Sequence, residues 1–230
     1  MGGKGVDTSI HLDTARNGKT EKLMARPDRF WDRLAVRYSK RPVSDEASYR
    51  RKLEATRAYF TPDAEVLEIG CGTGTTALSH APFVKHIRAT DFSAKMIDIA
   101  RTKAETAAIG NVSFEQASIA ETDAPDGSLD MVMAHSIFHL LPDWEAVIGK
   151  IYAMLKPGGV LVSSTTCLDD GMGLLRYVAP AAAFFGLFPV LAFFSRKDLL
   201  ACLVKAGFTI EEDWQPGKGK AVFVVARKPR

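Results

Sequence analysis

The residue types most suited to chemistry are concentrated in residues 65–74, where an apolar run carrying Glu68 leads into Gly70, Gly72 and Gly74. Glycines at a strand-to-helix turn adopt backbone angles that other residues avoid, and they leave no side chain to obstruct a ligand. A helix beginning after them presents free backbone N–H groups and the positive end of its dipole. The segment therefore predicts a site where a nucleotide-like ligand lies directly on the backbone.

The spacing of these glycines fits two other nucleotide sites poorly. A dinucleotide fingerprint, G-x-G-x-x-G, has its third glycine one position later than Gly74. A P-loop needs Gly-Lys-Ser/Thr, whereas Gly74 is followed by Thr75 and Thr76. Glu68, two residues before the first glycine, suits a cationic ligand group better than a pyrophosphate.

Two histidines, His135 and His139, follow a later apolar run. An imidazole can take a proton from a phenol, a hydroxyl or a carbon acid near neutral pH, so His135 is a candidate general base. The alternative is a histidine that only hydrogen-bonds the ligand or a neighbouring loop, and for His139 packing is the favoured interpretation. Because no third ligand stands nearby, we expect no metal. Cys71, inside the glycine turn, is expected to pack rather than to act as a nucleophile.

Short apolar runs alternate with longer amphipathic stretches, which is typical of strand–helix units around a largely parallel sheet. The pattern predicts strands over residues 65–69, 86–90, 112–115, 129–134 and 159–164, and an antiparallel pair over 208–214 and 221–226. It predicts helices over residues 29–38, 45–60, 73–80, 93–109 and 143–155. Ser93 is the expected N-cap of the fourth helix, and Gly110 is the expected left-handed residue that ends it.

The sequence predicts a disordered tail over residues 1–24, a helical cap over 25–60 and a core over 61–230. Within the core, residues 168–196 form an apolar insertion whose centre, 177–194, carries no charge. Its length makes it a marginal membrane span, but Pro180, Gly186 and Pro189 and its place between sheet elements argue against one. We expect a lid or acceptor wall, or an interfacial anchor making peripheral membrane contact.

Composition excludes several function classes. Thirty Lys and Arg against 27 Asp and Glu give a net charge of +3, which offers no footprint for nucleic acid. Three cysteines, odd in number and widely spaced, suit a reducing compartment without a disulfide framework. The N-terminus lacks the apolar core of a signal peptide, so a cytoplasmic location is expected.

Residues 66–74, VLEIGCGTG, resemble the first motif of the class I S-adenosylmethionine-dependent methyltransferases almost residue for residue. Residues 125–130 resemble that family's loop into the fourth strand, and 155–159 its entry to the fifth. The resemblance runs from about Phe30 to the C-terminus. It implies S-adenosylmethionine as cofactor and an α/β, doubly wound, Rossmann-like sheet of seven mostly parallel strands. The implied order is 3-2-1-4-5-7-6 with the last strand antiparallel, an N-terminal helical cap and the apolar insertion after strand 5.

Carried over position by position, the resemblance implies that Asp91 binds both ribose hydroxyls, since a carboxylate can accept two hydrogen bonds from a cis-diol. It places Phe92 near the adenine and Tyr38 at the methionine end of the cofactor. Ser118 stands where the family commonly has an acidic residue that contacts the adenine amino group, and its hydroxyl is a competent partner. The implied catalytic residues are His135 and Tyr38. The implied cofactor contacts are Tyr38, Glu68, Gly70, Cys71, Gly72, Gly74, Asp91, Phe92, Met96, Ser118, Ile119 and His135.

Two motifs that the sequence lacks narrow the range of possible methyl acceptors. No Asn/Asp-Pro-Pro-aromatic motif follows the fourth strand and no Pro-Cys pair appears, which favours a small molecule over a nucleobase or a glutamine. The chain is most similar to the quinone-biosynthesis and small-molecule methyltransferases, and its apolar insertion suggests a lipophilic or amphiphilic acceptor: a phenol or quinol, an amine or a lipid headgroup.

One alternative function is that of an S-adenosylmethionine-binding regulatory or membrane-peripheral protein without methylation activity. A weaker one is an aminopropyl transferase, which would release methylthioadenosine. The sequence leaves open whether the protein forms a homo-oligomer.

Overall fold

A seven-stranded sheet separates two hydrophobic layers in the computed structural model, which describes residues 27–184 and 188–230. The strands are β1 (Glu65–Ile69), β2 (His86–Asp91), β3 (Val112–Gln116), β4 (Leu129–His135), β5 (Leu155–Thr165), β6 (Thr209–Trp214) and β7 (Val222–Arg227). Their spatial order is β3-β2-β1-β4-β5-β7-β6. β1 to β5 pair in parallel, and β7 is antiparallel to both of its neighbours. The predicted fold class and strand order are confirmed.

The helices flank this sheet and place the cap over its edge. They are α1 (Pro27–Ser39), α2 (Glu46–Arg57), α3 (Thr75–His80), α4 (Ala94–Thr106), α5 (Trp144–Met154), α6 (Leu175–Phe184) and α7 (Arg196–Lys205). α1 packs against α4, and α2 packs against α3. The predicted tail over residues 1–24 and the first two residues of the predicted cap lie outside the described residues.

Successive side chains of β4 point alternately into the two hydrophobic layers, as expected for a strand buried on both sides. Val132 and Ala134 face the layer that contains α5 and α7, and Met131 and Met133 face the layer that contains α4. The same alternation puts the next residue, His135, on the α4 side at the end of the strand. The carboxyl ends of the parallel strands thus bring polar side chains to one edge of the sheet.

The end of α4 differs from the prediction. The helix stops at Thr106, and the residue with a left-handed backbone is Ala108, with φ 52°, rather than Gly110. The Asn111 side chain donates hydrogen bonds to the carbonyls of Ala81 at 2.8 Å and Val84 at 3.0 Å. These bonds fix where β3 begins, so the chain must reverse upstream of Gly110.

The apolar insertion folds as a short turn over Leu168–Asp170 followed by α6. Phe194 is buried in the main core, where its ring lies 4.4 Å from that of Trp144. Leu174 and Tyr177, by contrast, are 84% and 77% exposed. Within the described residues, no helix has the length and hydropathy that a membrane crossing requires. Residues 185–187 of the insertion lie outside the described part.

Candidate cofactor and acceptor site

The glycine turn after β1 is dictated by backbone conformation and close packing. Gly70, Gly72 and Gly74 have φ of 64°, 54° and 73°, in the left-handed region that favours glycine. A Cβ on Gly70 would lie 2.7 Å from the Cδ1 atom of Ile137, and one on Gly74 would lie 2.7 Å from a ring carbon of Phe114. A Cβ on Gly72 would lie 3.8 Å from a ring carbon of Tyr38, which is an ordinary van der Waals distance. Close packing therefore excludes a side chain at Gly70 and Gly74, whereas at Gly72 the positive φ alone favours glycine.

Asp91, at the end of β2, is fixed by backbone donors beside this turn. The N–H of Gly72 donates to its Oδ2 and the N–H of Ser93 to its Oδ1, both at 2.9 Å. The carboxyl is buried, and burial raises its pKa above the usual value against the opposing effect of these hydrogen bonds. Each oxygen keeps a second lone pair, so the side chain is competent to accept a cis-diol as predicted.

Asp32 of α1 connects the helical cap to the start of α4 through hydrogen bonds. The sequence analysis assigned this residue no role. Its Oδ1 accepts a hydrogen bond from the Ser93 hydroxyl at 2.6 Å and from the Lys95 N–H at 3.3 Å. Ser93 also caps α4 as predicted, since its Oγ accepts from the Met96 N–H at 3.2 Å. α1 is therefore held where Tyr38, one and a half turns further along, overlies the glycine turn.

Tyr38 lies beside the glycine turn, at van der Waals distance from where a Cβ on Gly72 would lie. Its side chain is half-exposed, and the ring packs edge-on against Trp31 at a centroid distance of 6.5 Å. The pKa of the Tyr38 phenol is raised, first by the burial of its hydroxyl and then by the nearby Asp91 carboxylate. An aromatic ring at this place is of a type that can stabilise a cationic group.

Glu68, in β1 just before the glycine turn, is a buried carboxyl. It is 2% exposed, it accepts a hydrogen bond from the Ala77 N–H, and its Oε2 has no partner among the described residues. Burial raises its pKa to about 8, with a further contribution from Asp91. A carboxyl in this state is mostly protonated at neutral pH, and a cationic ligand would draw it toward the ionised form.

Lys103 of α4 secures the turn from the other side. Its Nζ donates to the Thr73 carbonyl at 3.1 Å, to the Thr73 hydroxyl at 2.9 Å and to the Thr75 hydroxyl at 3.0 Å. The sequence offered no signal for this role, since the lysine stands 30 residues after Thr73 on an amphipathic helix.

The predicted adenine region is organised around a reciprocal cap. The Ser118 N–H and hydroxyl both donate to the Oε2 of Glu121, at 2.9 and 2.8 Å, and the Glu121 N–H donates back to the hydroxyl at 3.3 Å. The Ile119 carbonyl accepts from Lys150 Nζ at 3.2 Å. A carboxylate therefore stands beside Ser118 after all, supplied from three residues further on. The S-x-x-E spacing, a known capping signature, was a readable signal for it.

Phe92 and Met96 complete the set expected around the adenine. Phe92 is half-buried, and its carbonyl accepts a hydrogen bond from the Gln116 amide at 3.2 Å. Met96 is buried in the first turn of α4. Their contacts with the cofactor stay predictions.

The histidines occupy the carboxyl edge of β4. The buried Nε2 of His135 has no hydrogen-bond partner within residues 27–184 and 188–230, and the pKa of this imidazole is lowered to about 4, first by burial and then by the charge of Lys52. His139 Nδ1 lies 3.1 Å from the Thr165 hydroxyl, and burial lowers its pKa to about 4. The Thr165 contact anchors the turn over Phe138–Leu140, in line with the packing role expected of His139. Across the described residues, no group of three potential metal ligands occurs.

Cys71 behaves as a packing residue. It is buried, and burial raises the pKa of its thiol well above the usual value, so the nucleophilic thiolate is disfavoured. Its pKa is also raised by the charges of Glu68 and Asp91, which places all three groups in one electrostatic neighbourhood. Tyr38 is affected by the same two carboxyl groups. The structure thus brings Tyr38, Glu68, Cys71, Gly72 and Asp91 together, while His135 is coupled to Lys52 instead.

Residues 66–159 match the family described as Methyltransferase domain. Together with the sheet order and the glycine turn, this match supports the expected resemblance to class I S-adenosylmethionine-dependent methyltransferases. The matched stretch runs from β1 into β5 and contains the glycine turn, Asp91 and His135 but not the N-terminal cap.

Particular relatives agree with that class. The chain is 31% identical over 133 residues to a demethylmenaquinone methyltransferase of Listeria welshimeri, covering 54% of this chain and 55% of the relative. The crystal structure of YcgJ from Bacillus subtilis superimposes with a TM-score of 0.65 at 17% identity, covering 79% of this chain and 99% of YcgJ. The geranyl diphosphate C-methyltransferase of Streptomyces coelicolor, solved with S-adenosylhomocysteine, gives a TM-score of 0.65 at 17% identity, covering 80% and 79%. The chain spans about half the length of the curated relatives it matches.

Proposed function

We propose that this protein transfers the methyl group of S-adenosylmethionine to a small lipophilic or amphiphilic acceptor, with a phenol or quinol ahead of an amine or a lipid headgroup. The observation that carries the proposal is the convergence of Asp91, Glu68 and Tyr38 around Gly72. The carboxyl groups suit the ribose and the cationic methionine end of the cofactor. The similarity to demethylmenaquinone methyltransferases supports a quinol acceptor.

In methyl transfer the main task of the protein is to align the acceptor with the cofactor. The sulfonium is already activated, so the site has to place the acceptor atom in line with the methyl carbon and the sulfur and to exclude water. The Tyr38 ring would stabilise the positive charge near the sulfur until the methyl group leaves. Tyr38 is therefore proposed as a positioning and electrostatic contact.

The general-base role of His135 stays a prediction, and its environment limits it. With a pKa of about 4 the imidazole is neutral at physiological pH. Taking a proton from a phenol, whose pKa is near 10, would be uphill by about 8 kcal/mol. We infer that His135 serves the acceptor as a neutral hydrogen-bonding group, with the acceptor ionised by other means.

The test is turnover of methyl-labelled S-adenosylmethionine with a short-chain naphthoquinol, simple phenols, amines and a lipid amine. The proposal expects labelled product from the quinol or phenols together with equal S-adenosylhomocysteine. Cofactor binding without product from any acceptor would support the regulatory alternative, for which the absent acidic side chain at Ser118 is the motive. Release of methylthioadenosine would support an aminopropyl transferase.

We also propose that the insertion makes peripheral membrane contact within residues 177–194. Tyr177 and Val178 on α6 are 77% and 58% exposed, and Phe188 is 47% exposed. Such a cluster suits delivery of a lipophilic acceptor from a bilayer surface. The assay is sedimentation with phosphatidylcholine–phosphatidylglycerol vesicles. Val178→Glu should abolish binding while Val204→Glu, an exposed valine on α7, should not; equal binding by both variants would contradict the proposal.

A further inference from the structure

An ammonium group lies at the acceptor side of the sheet edge. The Nζ of Lys52, on α2, donates to the Oγ of Ser164 at 2.6 Å. Ser164 is buried near the end of β5 and stands directly opposite His135 of β4 in the parallel register. Helix α2 thus carries a positive charge to the carboxyl ends of the two strands where the acceptor is expected.

Lys52 forms no ion pair in the part of the chain that the structure describes. The carboxylate acting on it is that of Asp45, which is engaged at the N-cap of α2 by the Ser48 N–H at 3.0 Å and the Ser48 hydroxyl at 2.8 Å. The Lys52 side chain is partly buried, and this burial lowers its pKa. An ammonium taken partly out of water, with its nearby carboxylate already engaged at the N-cap, would be stabilised by an anionic ligand.

The groups beside Lys52 are uncharged donors or acceptors. The buried Nε2 of His135 has no partner among the described residues, and the Lys52 charge helps to keep that imidazole neutral. Burial, and then the neighbouring His135, lowers the pKa of His80 to about 3, so the imidazole behind His135 is neutral as well. One ammonium, one hydroxyl and the neutral imidazole of His135 are a donor set suited to a single negative oxygen.

The cofactor side of the proposed site carries acidic groups, in contrast to the positive charge of Lys52. Asp32, Glu68 and Asp91 gather near the glycine turn, where a cationic sulfonium and an amino group would lie. Lys52 stands on the β4–β5 side. A cationic donor and an anionic acceptor would therefore each meet the complementary half of the site.

We propose that Lys52, with Ser164 and His135, binds the ionised oxygen of the acceptor, which makes the substrate a phenol- or enol-type acid rather than an amine or a cationic headgroup. This inference rests on the proposed function. The acceptor O–H releases its proton to solvent on binding. The acceptor then supplies the electron pair of the new bond to the methyl carbon, while the S–CH3 bond breaks with its pair going to sulfur.

The test uses the full chain saturated with S-adenosylhomocysteine and 4-nitrophenol as the probe, because its phenolate is seen by absorbance without any turnover. We expect the apparent pKa of bound 4-nitrophenol to fall by about one, a tenfold increase in its ionisation constant. Lys52→Met should return it to the solution value, and Lys52→Arg should retain most of the fall. Arg50→Met removes a charge from the exposed side of the same helix and should change nothing.

The outcomes separate the two proposals. An unchanged probe pKa in the wild type, absence of saturable 4-nitrophenol binding, or an equal effect of Arg50→Met overturns the Lys52 inference while the cofactor site stands. Failure of the wild type to bind S-adenosylhomocysteine overturns the proposed function itself. Lys52→Met is read only where its thermal unfolding midpoint and its S-adenosylhomocysteine affinity match those of Lys52→Arg. If Lys52→Met unfolds, loss of the probe shift in Ser164→Ala is the result expected, and a retained shift contradicts the inference.

Discussion

The buried carboxyl of Glu68 makes the stability of the unliganded protein depend on pH. Its pKa rises from the usual 4.5 to about 8 on folding, so the folded state retains a proton that the unfolded chain releases between these values. The contribution of this group to stability is therefore greatest below pH 4.5 and is lost as the pH rises toward 8. The difference of about 3.5 between the two pKa values corresponds to about 5 kcal/mol when fully developed.

The perturbation is Glu68→Gln, which keeps an oxygen to accept the Ala77 N–H and cannot ionise. Between pH 5 and pH 8, linkage predicts that the wild type loses about 3–4 kcal/mol of unfolding free energy through this group. The variant should lose that much less over the same interval. Packing changes and the new amide donors act equally at every pH. They therefore shift the unfolding free energy by a constant amount and do not change its slope against pH.

The assay is urea unfolding of the unliganded protein at pH 5, 6.5 and 8. Glu54→Gln, an exposed glutamate on α2, is the matched control and should follow the wild-type slope. Parallel pH curves for wild type and Glu68→Gln would refute the reasoning, because they would mean that Glu68 is already ionised in the folded protein.

Two further predictions concern the glycine turn. Gly74→Ala should lower the unfolding free energy by roughly 3 kcal/mol, since its φ is 73° and its Cβ would lie 2.7–2.8 Å from Phe114 and Ala100. Gly110→Ala, which has open space and no positive φ, should change the urea midpoint little, and equal losses would contradict the packing argument. Lys103→Met removes three hydrogen bonds from Thr73 and Thr75 and should weaken S-adenosylhomocysteine binding about tenfold by calorimetry. Lys197→Met on the exposed side of α7 should bind as the wild type does, and a loss in both would point to bulk charge instead.

Much of the fold was predictable because period-two alternation and turn residues act locally. β1 occupies residues 65–69 as predicted, and β2 and β3 differ from prediction by one residue. β5 begins at Leu155, four residues before the predicted start. Its Lys156-Pro157-Gly158 segment has turn chemistry, yet Leu155 pairs with Leu129 across a bulge and the Gly158 N–H donates to the Lys228 carbonyl at 2.8 Å. Partners so distant in sequence are invisible to a local pattern.

The cofactor side of the site was predictable for the same reason, since residues 66–74 and Asp91 lie at strand ends that the sequence marks. The acceptor side was not. Lys52 appears in the sequence as one basic residue of a solvated helix, and its contact with Ser164 lies 112 positions away. Asp32 likewise meets Ser93 only after α1 docks on α4. Ser118 was expected to stand in for the family's acidic residue, whereas the structure adds the Glu121 carboxylate beside it through a capping box.

The central claim is that the edge formed by the glycine turn and Asp91 binds S-adenosylmethionine. Calorimetry of S-adenosylmethionine and S-adenosylhomocysteine with the wild type and Asp91→Ala tests it most directly. Loss of two charge-assisted hydrogen bonds to the ribose predicts at least about 100-fold weaker binding in the variant. Tight binding that survives Asp91→Ala, or no binding by a folded wild type, would contradict the assignment of this site.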